Sequence, residues 1–134
     1  MEVNNIDINT VELSNGLKVI NLLRVPIHFD DGTVVPVTNF RLRLATLKRK
    51  AEPENADEWR DEAAFDANQI TLVKADTVPR VEDLEWIKKN IPKDVLILCP
   101  RAQSTTYGFP FVTPNYARRI DEDIIEHKID SFLW

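Results

Sequence analysis

The stretch from Asn68 to Pro100, NQITLVKADTVPRVEDLEWIKKNIPKDVLILCP, constrains the fold more than any other part of the chain. It reads as strand, turn, helix, turn, strand. Gln69 to Ala75 is rich in β-formers, and Asp94 to Cys99 is a continuous apolar run, the pattern of a strand covered on both faces. Between them Thr77 is suited to cap a helix, and Pro79 fits the first turn, where its missing N–H costs nothing. Val81, Leu84, Ile87 and Ile91 then recur at spacings of three and four, one helical face. Glu85 and Lys89 form an i,i+4 pair on the solvent side, and Pro92 stops the helix by pushing Ile91 out of the α region. A strand, helix and strand of this size predict a crossover between parallel strands.

Before this unit the pattern is antiparallel. Ile6 to Leu13 alternates apolar and polar residues, and Ser14-Asn15-Gly16 is a hairpin turn. Leu17 to Phe29 continues as strand, with Pro26 predicting a bend, bulge or edge. Asp30 to Thr33 is a second turn, and Val34 to Thr38 returns, with Pro36 again suggesting an edge. These segments predict an N-terminal antiparallel meander. Phe40 to Leu47 alternates as well: Phe40, Leu42 and Leu44 face one way, Arg41 and Arg43 the other. With Lys48, Arg49 and Lys50 following, this is the one concentrated basic region, either a solvated strand face or an anion-contacting one, and Lys48 to Asn55 reads as a charged loop around Pro53. Asn55 can cap a short helix from Ala56 to about Phe65, with Asp57 and Glu58 in its first turn.

After Cys99, Gln103 to Thr106 reads as a polar loop and Phe109 to Val112 as a last short strand, with Pro110 at an edge. A helix is expected to begin at Thr113 or at Asp121. Ile124, Ile125, Ile129, Phe132 and Leu133 form an apolar stripe running to Trp134. So large an apolar segment must pack, on its own sheet or against a second copy as a homodimer. Together these readings predict an α+β fold in a single domain, 1–134: an N-terminal meander, a βαβ crossover, and a mixed sheet with helices packed on it.

Composition narrows the function. The 134 residues are 43% hydrophobic and 29% charged, ordinary for a soluble globular domain. A net charge of -5 disfavours general nucleic-acid binding. The single cysteine excludes an internal disulfide and suits a reducing compartment, and the N-terminus lacks a signal-peptide pattern. No run is long enough for a membrane span. The expected location is therefore cytoplasmic. Only 3 glycines are present, with no phosphate-loop or dinucleotide-binding fingerprint.

A catalytic signature is missing too. Cys99 lacks the downstream arginine of a phosphatase loop, since Thr105 stands at that spacing, and a buried structural thiol is the better reading. His28 and His127 have no sequence-local metal pattern, and no Gly-x-Ser-x-Gly occurs. The sequence calls for no catalytic residue, metal or cofactor.

One candidate site follows from the crossover. If its strands lie side by side and parallel, Asp76 and Thr77 emerge at the same sheet edge as Arg101, where open α/β sheets bind ligands. The helix N-terminus with Arg80 favours an anion there, and Ser104, Thr105 and Thr106 add hydroxyls. A small anionic, nucleotide-like ligand would suit the set. The expected function is thus a small non-catalytic binding or regulatory protein, acting on a protein partner or such a ligand. The alternatives are a small enzyme for an anionic substrate at the crevice, or an assembly subunit. In size, acidity and lack of a catalytic signature the chain resembles the small accessory proteins of phages and mobile elements, a likeness of class that no motif carries.

Overall fold

The computed structural model describes residues 9–52, 54 and 71–134. These fall into two compact units, one made of the chain up to Leu44 together with Pro79–Trp134, the other of Ala45–Val78. The expected strand residues Ile6 to Ile8, the expected helix from Ala56 to about Phe65, and Gln69 and Ile70 lie outside the described residues.

The first unit is mostly strand, with a mixed sheet and two helices among the described residues. Both predicted hairpins form. β1 (Val11–Glu12) pairs antiparallel with β2 (Lys18–Asn21), and β3 (Ile27–Phe29) pairs antiparallel with β4 (Val34–Val35). Gly16 and Gly32 take positive φ in the two turns, a backbone that side chains with a Cβ rarely adopt. Asp31 stitches the turns together, accepting from the Ser14 and Thr33 N–H groups at 2.8 Å each. Burial pushes its carboxyl up, but those donors outweigh it and bring the pKa down to about 2.

The hairpins do not form a continuous meander. The chain at Leu22–Pro26 breaks the expected long strand in two, and its halves join the sheet at distant places: with β7 (Val95–Leu98), β8 (Phe111–Arg119) and β9 (Ile125–Leu133) the order is β1-β2-β7-β8-β9-β3-β4. Asn21 explains the break. Its buried side chain donates to Val25 O and Val35 O and accepts from Leu23 N–H. It thereby folds the turn back and draws β4, at one end of the sheet, towards β2 near the other. The sheet curls towards closure.

β7 (Val95–Leu98) lies between β2 and β8 and is parallel to both. The apolar run is covered on both faces, as its sequence predicts. Ile20, Val95, Ile97 and Phe111 pack on one side with Phe40 and Leu42. Val19, Leu98 and Val112 pack on the other with Ile27, Phe29 and Val35. Helix α1 (Val81–Asn90) covers the first side through Ile87, with Ile91 just past its end. Trp86 stacks on Phe40 with ring centroids 4.1 Å apart. Val81, expected on this face, is exposed, and Asp83 takes a buried place instead. Thr77 is not the cap: Pro79 holds Val78 extended, so the helix starts only after Arg80.

A βαβ crossover is present one element later than expected. It runs from β7 through the short helix α2 (Arg101–Tyr107) to β8 (Phe111–Arg119). Of the residues expected to form its first strand, Val73, Lys74 and Ala75 belong to β6 (Val73–Pro79), which pairs with β5 (Leu44–Lys50) in a separate two-stranded sheet. The expected C-terminal helix is also replaced. β9 (Ile125–Leu133) pairs antiparallel with β8. The register jumps from Pro114↔Phe132 to Tyr116↔His127, a bulge on β9. This lets Ile129 and Phe132, at odd spacing, both pack on the second core cluster. Asp30 and Asn15 hold the bulged backbone, Asp30 accepting from Ile129 N–H and Asn15 donating to Ile129 O.

Candidate functional site

The chain leaves the first unit after Leu44 and re-enters it at Pro79, and a polar cluster in that unit holds both ends. Its centre is Asp83, on the first turn of α1 and almost fully buried. Asp83 accepts from the Arg43 backbone N–H at 2.8 Å and from the Arg43 guanidinium at 3.3 Å. Arg80 approaches it at 3.6 Å and pairs more closely with Glu82, at 2.8 Å. Beside it the Tyr107 hydroxyl accepts from the Arg80 backbone N–H at 2.9 Å and donates to Arg43 O at 2.6 Å. One hydroxyl therefore bridges the outgoing and returning strands. Burial pushes the Tyr107 phenol up, so it stays protonated and able to donate. Gln103 adds a bond from its side-chain amide to Leu42 O.

The segment held there opens as a ribbon. In β5 the residues from Thr46 to Lys50 are exposed, and in β6 so are Val73, Lys74, Ala75 and Thr77. Leu47 is 62% and Val73 52% exposed, unusual for apolar strand residues. Arg49 and Asp76 pair at 3.4 Å. A cavity of about 470 Å³ in the same unit is lined by Ala51, Glu52, Glu54, Leu72, Val73 and Lys74. Its two carboxylates against one lysine disfavour an anion.

The seven expected ligand residues are placed as follows. Asp76 and Thr77 lie within β6 and not at a sheet edge beside β7. Arg80 joins Asp83 and Glu82. Arg101 opens α2 and is exposed, as is Thr105. Ser104 is fully buried and bonds Arg101 O and the Thr113 hydroxyl, while Thr106 bonds Ala102 O. Ser104 and Thr106 thus serve the helix and its packing.

Asp83, Tyr107 and Gln103 were not legible as a group, since their partners are backbone atoms of Leu42 and Arg43. The basic run of β5 was legible. Burial pushes the Cys99 thiol up to about 12, which leaves it protonated and unreactive at neutral pH. Among the described residues no three metal-ligating side chains gather, and no helix is long and apolar enough to cross a membrane. Compared with known families, with curated proteins and with solved structures, the chain matches none.

Proposed function

We propose that this protein is a small cytoplasmic, non-catalytic binding module that works by contacting a partner protein through residues 45–78. The observation that carries the reading is the contrast between the held ends of this segment and its exposed strands. A two-stranded ribbon buries too little to be stable by itself, and function often sits on such segments mounted on a packed scaffold. Tyr107 and Asp83 hold Arg43 and Arg80, the residues that flank this segment in sequence. Exposed Leu47 and Val73 supply apolar contact area, and Lys48, Arg49 and Lys50 supply charge.

Excision tests the reading. Because Arg43 O and Arg80 N–H bond the same hydroxyl, a short glycine-serine linker can replace residues 46–77. The shortened chain should keep its circular dichroism and cooperative melting. A partner retained by the full chain in affinity capture should be lost. Retention of the same partner by the shortened chain would overturn the proposal.

A second reading places a small anion at α2. Exposed Arg101 has no ion-pair partner among the described residues, and Thr105 is exposed one turn on. Phosphate or nucleotides should then raise the melting temperature, and Arg101→Ala should abolish the shift. A ligand at a hundredfold its dissociation constant stabilises by about 2.7 kcal/mol, well within detection.

A further inference from the structure

We infer that one face of the β5–β6 ribbon docks an extended acidic polypeptide, added as a strand along β5 with carboxylates on Lys48 and Lys50. This deepens the binding reading above and rests on it.

Strand geometry identifies the face. Side chains alternate across a strand. Arg49 and Asp76 touch, so they share one face, and with them go Leu47, Lys74 and Val78. The other face carries Thr46, Lys48 and Lys50 from β5, with Val73, Ala75 and Thr77 from β6. All six of these residues are exposed, whereas Asp76 and Val78 on the Arg49 face are half-buried. The exposed face bears two lysines and no carboxylate from either strand. Neither lysine has an ion-pair partner among the described residues.

The occupant follows from charge and from the open edge. Among the described residues β5 pairs with β6 alone, and a strand edge without a neighbour can accept a further strand. Three strands are far more stable than two, which gives strand addition a driving force. Added strands bind through main-chain hydrogen bonds and are selected through alternate side chains. Lys48 and Lys50 stand about 6.7 Å apart along β5, the repeat of side chains on one face of an incoming strand. Carboxylates on every second residue match that repeat, and opposite charges across strands attract. A nucleic acid fits less well. Two cations fall short of the phosphate contacts such an interface uses.

The test uses the full chain and three fluorescent peptides: alternating Glu-Val, alternating Lys-Val, and a block peptide with the Glu residues before the Val residues. Fluorescence polarisation should show binding of the alternating Glu-Val peptide alone. The double variant Lys48→Glu/Lys50→Glu should weaken it by about tenfold or more and gain affinity for Lys-Val. Arg49→Ala, on the other face, should change it by no more than about twofold. Amide exchange in β5 should slow when the Glu-Val peptide is bound. Equal binding of the block peptide or of an oligo-dT would overturn the inference, as would an unchanged affinity in the double variant. So would a mass that rises with concentration and falls back in the double variant, which would assign the face to a second copy. Partner loss on excision, with no effect of the double variant, would defeat this inference and leave the binding reading standing. Partner retention on excision would defeat both.

Discussion

Strands β2 and β5 are both short, and their surroundings are opposite. β2 sits between β1 and β7, and its Val19, Ile20 and Asn21 are fully buried, with Val19 and Ile20 feeding the two core clusters. Among the described residues β5 has a single neighbouring strand, and its residues from Thr46 to Lys50 are exposed. The difference shows where each unit gets its order. The first unit is held by apolar area removed from water on both faces of a sheet. Among the described residues β5 offers little such area, and within the first unit Arg43 and Arg80, which flank the ribbon in sequence, are held by hydrogen bonds to one buried carboxylate and one phenol.

The sharpest way to break this comparison is to cut large side chains from both regions. Phe29→Ala removes a fully buried ring and should cost about 3–5 kcal/mol in chemical denaturation. A loss below about 1 kcal/mol would mean that the second core cluster is not the source of stability. Next comes the mounting. Asp83→Ala leaves the Arg43 N–H and the Arg43 guanidinium without their buried acceptor and should cost about 1–3 kcal/mol. Tyr107→Phe removes the bridging hydroxyl and should cost about 1 kcal/mol, with faster amide exchange at Arg80.

Asp31→Asn should act on a similar scale and adds a pH signature. The folded carboxyl titrates at about 2, below an unfolded value of about 3.9. The native chain therefore holds this stabilisation above about pH 4 and loses it as pH falls through about 2. Melting temperatures of the variant should lack that part of the acid-side decline, and parallel curves would remove Asp31 as its source. Smallest of all is Leu47→Ala, which should stay within about 0.5 kcal/mol because the side chain is already in water. A larger cost would show that the ribbon buries Leu47 in solution.

Several local features could be read from the chain alone. Asn15-Gly16 and Asp31-Gly32 mark the two turns where the backbone needs positive φ, and the run Val95 to Leu98 marks a strand buried on both faces. The helix over 81–90 follows from its spacing, its acidic first turn and Pro92. The candidate site was legible only in part. Lys48, Arg49 and Lys50 stand out as a basic run, while the role of Asp83 depends on a backbone N–H 40 residues away.

Periodicity, turn chemistry and charge runs are local, so the sequence by itself determined which segments fold as hairpins, helix α1 and central strand, and where the basic run lies, but not that the strand starts at Leu44 and continues through Lys48 to Lys50. Pairing across distance was decided only by the tertiary structure. Asn21 splits one predicted strand and sends its halves to separate places in the sheet. A bulge on β9 lets an apolar stripe with helical spacing pack as a strand. β6, adjacent in sequence to α1, pairs with β5 and not with β7. In each case the deciding energy is a backbone hydrogen bond or a buried contact between residues far apart in the chain. No window of neighbouring residues carries that information.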